Sequence, residues 1–297
     1  MTSQDQPAAG TIPHCYRHPD RETYISCQRC GKPICPDCMR QASVGFQCPD
    51  CVREGSASVR QPRTAFGGRV TPCTSIVTIT LIAINVIVFV IANATGGLNG
   101  DFVARMSQST SIDFPEAGLQ GVAQGAYWQL ITSTFLHVQF LHLVMNMIGL
   151  WIFGTFLEAQ LGRWRYLALY LVSGLAGSVG VYLLTGPYVP GQGVTFSLGA
   201  SGSVFGLFGA ALLILLRQRR DVTALLVLLG LNLVITFTVP DISWQAHLFG
   251  LGAGLVMGAG FAYAPRSHRL AIHVGIVVGL VALCVLAVAL RTAALTA

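Results

Sequence analysis

Charge is what this chain lacks. Asp, Glu, Lys and Arg make up 10% of its 297 residues, where soluble globular proteins carry about 25%. That deficit excludes a soluble globular fold for most of the chain. Lysine is nearly missing: Lys32 is the only one, so the formal charge of +6 rests on arginine. The shortage is uneven. Residues before Thr71 are polar and rich in Arg and Cys, whereas most residues after Pro72 lie in long apolar runs, and the mean hydropathy is +0.62. No secretory signal is expected, because the first apolar run begins only near Ser75 and is of full spanning length. The positive charge does not require nucleic acid, since the cytosolic loops of membrane proteins collect arginine.

An apolar stretch of about 20 residues crosses a bilayer as a helix. Seven are expected: Ser75 to Ala92, Leu136 to Leu157, Tyr166 to Leu184, Leu198 to Leu216, Val222 to Val239, Trp244 to Tyr263, and Leu270 to Leu290. Arginines alternate with them. Arg53, Arg60, Arg63 and Arg69 precede the first span, Arg163 and Arg165 follow the second, Arg217, Arg219 and Arg220 follow the fourth, and Arg266 and Arg269 follow the sixth. The opposite loops hold only Arg105, with Arg291 near the C-terminus. The bias predicts a multi-pass protein of the cell membrane with its N-terminus in the cytosol and its C-terminus outside. The first outer loop, from Ala94 to about Phe135, is long and carries the interfacial pair Tyr127 and Trp128.

Polar side chains inside spans are costly and face a cavity or a partner. His142 and Asn146 are four apart on one face of the second span. Ser201 stands near the outer end of the fourth, within Gly199-Ala-Ser-Gly202, and His247 near the outer end of the sixth. Counting about 1.5 Å per residue from the cytosolic ends puts Ser201 and His142 at roughly 24 Å and His247 at roughly 26 Å. Three reactive side chains on three helices thus share one height, just below the outer surface. Serine is a weak nucleophile until a base takes its proton. His247 stands at the right height, with Gly250 and Gly254 following at helical spacing to allow close approach. A Ser201 amide at a helix start, with His142 and Asn146 as side-chain donors, would suit an oxyanion.

These residues resemble the rhomboid proteases over nearly the whole membrane part. The resemblance rests on Gly-x-Ser-Gly at Gly199 to Gly202, His-x-x-x-Asn at His142 to Asn146, Ala-His-x-x-Gly-x-x-x-Gly at Ala246 to Gly254, and Glu158-x-x-x-Gly162 preceded by Gly154. It implies an all-α polytopic fold, with a six-helix core over residues 72–264 and one extra C-terminal helix over 265–297. It implies a serine-type endopeptidase that cuts single-span membrane proteins in or near their spans. Ser201 would be the nucleophile and His247 the base, with His142, Asn146 and the Ser201 amide as the oxyanion hole. Catalysis would need no cofactor. The chain departs from the family at Trp128-Gln129, where Trp-Arg is common, and at Phe205, where Tyr is common. Phe205 can still stack on His247.

The polar N-terminus carries four ligand pairs: Cys15-x-x-His18, Cys27-x-x-Cys30, Cys35-x-x-Cys38 and Cys48-x-x-Cys51. Eight such ligands suffice for two tetrahedral zinc sites, and in a reducing cytosol disulfides are not expected. His14 competes with Cys15 for a place. The spacing is similar to B-box zinc fingers, which implies interleaved pairing, with Cys15, His18, Cys35 and Cys38 on one ion. Residues 1–54 would form this zinc-stabilised domain, and 55–71 a flexible Arg-rich linker. The domain suits a cytosolic protein partner; its arginines permit nucleic acid without demanding it.

Blander readings exist. Ser201 between glycines is also a packing patch, and His247 alone a satisfied intramembrane histidine. His137 is read as structural or interfacial, Cys73 and Cys284 as ordinary small residues, and His268 and His273 without a role. A silent relative that only binds membrane proteins would usually lack the serine or the base. A transporter would show ionisable groups at the midplane; here the middle holds Asn85, Asn146, Asn232 and a few hydroxyls.

Overall fold

The seven apolar runs fold into seven helices, because only a helix satisfies backbone groups away from water. The computed structural model describes residues 12–58, 62–68, 75–114, 119–189, 195–240 and 242–297. Arg60, Arg69, Cys73 and part of the expected linker lie outside the described residues. The chain divides into two units, Met1–Pro62 and Arg63–Ala297.

The first unit holds two antiparallel hairpins and one helix. Strand β1 (His14–Cys15) pairs with β2 (His18–Glu22), and β3 (Arg40–Gln41) with β4 (Phe46–Gln47). Helix α1 (Pro49–Ser58) follows, running through Gly55 to Ser58, residues expected to start the linker. Seven cysteine and isoleucine side chains (Cys15, Cys27, Ile34, Cys35, Cys38, Cys48, Cys51) make up its buried core.

In the second unit, α2 spans Ile76–Ala94. The loop after it carries the short helices α3 (Asp101–Met106) and α4 (Gln129–Thr132), and the hairpin of β5 (Asp113–Phe114) and β6 (Leu119–Gln120). Then come α5 (Phe140–Leu161), α6 (Arg163–Leu184), α7 (Ser201–Arg217), α8 (Thr223–Thr238), α9 (Trp244–Tyr263) and α10 (Arg269–Thr296).

Two boundaries moved for physical reasons. Helix α5 begins at Phe140, not Leu136, because Leu136 takes an extended conformation after a 3-10 turn at Ser133–Phe135. Helix α7 begins at Ser201, not Leu198, because Gly199 has φ +131°, outside the helical region and open to glycine. By length and composition, five helices among the described residues (α2, α5, α6, α9 and α10) can cross a membrane, rather than seven. Helices α7 and α8 have 17 and 16 residues, about 25 Å of rise against a hydrocarbon core of about 30 Å. Every residue of α7 from Gly202 to Ala211 is buried, so protein rather than lipid surrounds its first half.

The packing around α7 depends on absent side chains. A Cβ on Gly254 would run into the Gly206 backbone, and one on Gly250 into Gly202. A Cβ on Gly258 would stand 2.7 Å from the Cα of Ala210. Helices α7 and α9 therefore touch backbone to backbone along the three-turn stretch that carries Ser201 and His247. This is the close approach that small residues permit in lipid, where hydrophobic transfer gives no drive between helices.

The first loop is pinned by Gln129, which is fully buried. Its Nε2 donates to the Gln120 carbonyl (2.8 Å), and its Oε1 accepts from the Ser109 N–H (3.2 Å). Trp128 Nε1 donates to the Arg105 carbonyl at 3.1 Å. The residue that departs from the family's Trp-Arg pair thus anchors the loop with neutral hydrogen bonds.

Candidate active site

The site forms where the first turns of α7 and α9 meet, with the first turn of α5 beside them. Ser201 is the first residue of α7, after an Ala200 N-cap that supplies no side-chain cap. Its side chain is half-buried, and neither its Oγ nor its backbone N–H has a hydrogen-bond partner among the described residues. A free N–H is what a helix start offers. The preceding turn is held firmly. The Gly199 N–H donates to the Ser133 carbonyl at 2.9 Å, and the Ala200 N–H to His137 Nε2 at 3.4 Å. His137, expected to be structural, is fully buried and supports this turn.

His247 lies in the first turn of α9 and is buried. Its ring is held on one face and at one nitrogen. Phe205, one turn after Ser201, stacks on it with centroids 4.1 Å apart and planes 12° from parallel. The Thr236 hydroxyl of α8 lies 2.6 Å from Nδ1. That hydroxyl also donates to the Asn232 carbonyl at 2.7 Å. With its one proton used there, Thr236 Oγ1 accepts from His247 Nδ1–H, which leaves Nε2 as the unprotonated nitrogen.

Ser201 and His247 approach through their neighbours. A Cβ on Gly202 would stand 3.2 Å from the Ala246 carbonyl oxygen. No hydrogen bond joins the Ser201 and His247 side chains among the described residues. Catalytic hydrogen bonds are often long before substrate binds and tighten with it.

His142 and Asn146 share the face of α5 turned to this point. The His142 ring lies against Gly199, its Cε1 and Nε2 at 2.6 and 2.8 Å from the place a Cβ there would take. Its centroid is 5.0 Å from that of His137, edge to face. Asn146 is buried, and its Nδ2 donates to the His142 carbonyl at 3.0 Å, which commits one of its two N–H donors. The sequence reading missed Thr236, although Asn232 and Thr236 repeat the four-residue spacing of His142 and Asn146 on an apolar helix.

The Glu158-x-x-x-Gly162 element serves architecture. The buried Glu158 carboxylate accepts from the N–H groups of Val77 (3.0 Å) and Thr78 (2.9 Å) and from Thr78 Oγ1 (2.8 Å). It therefore caps α2 from 80 residues away in sequence, where a negative charge complements the helix dipole. Gly162, with φ +77°, turns the chain from α5 into α6.

In the first unit the ligand pairs interleave. Cys15, His18, Cys35 and Cys38 form one cluster and Cys27, Cys30, Cys48 and Cys51 another, with the ligand atoms of each within 4.8 Å of one another. His18 Nδ1 faces the sulfurs of Cys35 (3.3 Å) and Cys38 (3.4 Å). Backbone N–H groups point at sulfur as well: Cys48 N–H at Cys27 Sγ (3.2 Å) and Cys51 N–H at Cys48 Sγ (3.3 Å). His14 belongs to neither cluster. Either cluster could hold a metal ion.

A bundle of apolar helices with a serine and a histidine on two touching helices falls in the class of membrane-embedded serine hydrolases. Comparison with known proteins gives the family. The rhomboid domain matches residues 124–264. RHOMBOID-like protein 6, mitochondrial, of Arabidopsis thaliana is 32% identical over 229 residues, covering 66% of this chain and 72% of that protein. Rhomboid protease GluP of Bacillus subtilis is 31% identical over 183 residues, covering 60% of this chain and 33% of that protein. Rhomboid-type serine protease 2 of Emericella nidulans is 28% identical over 212 residues, covering 68% of this chain and 41% of that protein. The chain belongs to the rhomboid family. It spans less than half the length of the latter two relatives.

Proposed function

We propose that this rhomboid protease cleaves single-span membrane proteins in or near their spans, with Ser201 as nucleophile and His247 as general base. The observation that carries the reading is the setting of His247. Phe205 and Thr236 fix its ring, and the proton count at Thr236 leaves Nε2 free to take a proton. The partly exposed Ser201 stands one helical turn from the residue on which that ring stacks.

In the reaction, Ser201 Oγ bonds to the scissile carbonyl carbon as its proton passes to His247 Nε2. The carbonyl oxygen becomes an oxyanion, for which the free Ser201 N–H, His142 and the second N–H of Asn146 are the available donors. The C–N bond then breaks, and His247 returns the proton to the leaving amine. Water enters, gives a proton to His247 and attacks the acyl ester; the ester C–O bond then breaks and His247 returns the proton to Ser201 Oγ. The buried surroundings strengthen each electrostatic contact relative to water. Arginine placement supports a cytosolic N-terminus and an active site toward the outer face.

The two Cys/His clusters suit zinc, whose tetrahedral sites take thiolate and imidazole. Cys15, His18, Cys35 and Cys38 would hold one ion and Cys27, Cys30, Cys48 and Cys51 the other, supplying the folding energy that a seven-residue core does not. Exposed Tyr24 (81%) and Val44 (79%) give this unit an apolar surface for a cytosolic protein.

The test is cleavage of a single-span reporter by purified protein in liposomes, wild type beside Ser201→Ala. Cleavage by the wild type alone supports the reading. Equal cleavage by both removes Ser201 from the chemistry.

A further inference from the structure

Two arginines meet in the second unit where no carboxylate answers them. Arg165, in the first turn of α6, is only 4% exposed. Its Nε donates to His273 Nδ1 of α10 at 2.8 Å, and its Nη1 reaches the Leu161 carbonyl at 3.4 Å. Its Nη2 has no hydrogen-bond partner among the described residues. Arg269 opens α10, and its Nε is buried without a partner. Both guanidinium groups converge on Gly67: Arg165 Nη2 and Arg269 Nη1 each lie 3.3 Å from the point a Gly67 Cβ would occupy. Gly67 has φ +87° and sits in a tight turn closed by Thr64.

Among the described residues no carboxylate neutralises this group, and the Arg165 guanidinium lies over the Trp164 ring, 4.5 Å from its centroid. Residues 62–76, 159–170 and 263–273 contain no Asp or Glu. Glu158, which comes next in sequence, is committed to the start of α2. No carboxylate pairs with Arg165 or Arg269 among the described residues. The helix ends add to the imbalance. Helices α6 and α10 both start with arginine and have no acidic residue in their first turn and no side-chain cap. Arginine there opposes the helix dipole, which favours an anion at that end. The positive-inside bias accounts for arginine in wet loops, but not for one that is nearly enclosed.

We propose that the Gly67 turn and the first turns of α6 and α10 form a binding site for a phosphate group, with Arg165 and Arg269 as its ligands, and that the phosphodiester of an anionic phospholipid fills it. Paired guanidiniums match phosphate oxygens in a bidentate fashion. Both helices are long and apolar enough to cross a membrane, and the site lies at their first turns, the level of lipid headgroups. With no side chain at Gly67, both guanidinium groups come close to its backbone.

The experiment is thermal unfolding of the purified full chain in a neutral detergent at constant ionic strength. The probes are short-chain phosphatidylglycerol, short-chain phosphatidylcholine and inorganic phosphate. Phosphatidylglycerol should raise Tm saturably, by about 5 °C at a hundred-fold excess over Kd, and phosphatidylcholine should not. Arg269→Gln, at a partly exposed position, and Arg165→Gln should each lose most of that rise. An equal rise with inorganic phosphate would keep the anion site and overturn the lipid as its occupant. No rise with either anion, or a rise that survives both substitutions, would overturn the site itself.

Discussion

Thr236 Oγ1 and His247 Nδ1 lie 2.6 Å apart, joining α8 to α9 at the ring proposed as the base for Ser201. A hydroxyl takes the place that a carboxylate fills in Ser-His-Asp enzymes. It orients the imidazole and fixes its tautomer without adding a negative charge. Thr236→Val keeps the shape and removes the acceptor. One hydrogen bond is worth about 1 kcal/mol, so kcat should fall on the order of five-fold, while Thr236→Ser restores it. A purely structural role would move Tm and leave the pH–rate profile alone. Loss of the tautomer lock should displace the profile's acid limb. An unchanged kcat for Thr236→Val would remove Thr236 from the mechanism.

The α7–α9 contact should tolerate no added methyl. A Cβ on Gly254 meets the Gly206 backbone, whereas one on Gly252 meets nothing within 4 Å. The same Gly→Ala change should therefore have opposite signs at two positions on one helix. Gly254→Ala forces the helices apart and should cost about 1–3 kcal/mol, the range for overpacking. Gly252→Ala should be neutral or stabilising by up to about 1 kcal/mol, from helix propensity. Unfolding of both variants in the same detergent measures the contrast, and equal stabilities would contradict backbone contact.

Glu158→Gln should destabilise the membrane unit without touching the site. The carboxylate accepts three hydrogen bonds at the start of α2. A glutamine offers one oxygen and turns an NH2 group toward donors. Charge-assisted bonds are worth about 1.5–3 kcal/mol each, so the loss should appear as a drop in Tm. Reporter cleavage per folded molecule should be retained. If cleavage fell while Tm stayed, Glu158 would belong to the chemistry rather than to the frame.

These elements differ in how far the sequence reveals them. The long helices were legible because about 20 apolar residues in a row have one low-energy solution in lipid. Ser201 and His247 stood out as candidates because each sits among glycines at a matched depth. The interleaved metal clusters followed from the repeated two-residue gap between ligands and the B-box likeness. The start of α7 was not legible, since it depends on a positive φ at Gly199 that apolar periodicity does not encode. Gln129 showed in the sequence only as a departure from Trp-Arg, because its partners, Ser109 and Gln120, come from the folded loop and not from a motif. Arg165 and His273 stand 108 residues apart and meet only when α6 packs against α10. His273 was therefore left without a role, and Arg165 was read as a loop charge.

Removing metal should separate the two units. The first unit has a core made largely of cysteines from the two clusters, so with metal bound its folding free energy would be its metal-binding free energy. A strong zinc chelator, or Cys27→Ser together with Cys30→Ser, should release zinc measurable by atomic emission and expose residues 12–58 to limited proteolysis. The unit Arg63–Ala297 has its own apolar core, and its unfolding transition should stay where it was. Reporter cleavage should also persist, because each residue assigned to the chemistry lies in that unit. Cleavage lost along with zinc, at an unchanged transition for the membrane unit, would instead make the metal-bound unit part of the working protease.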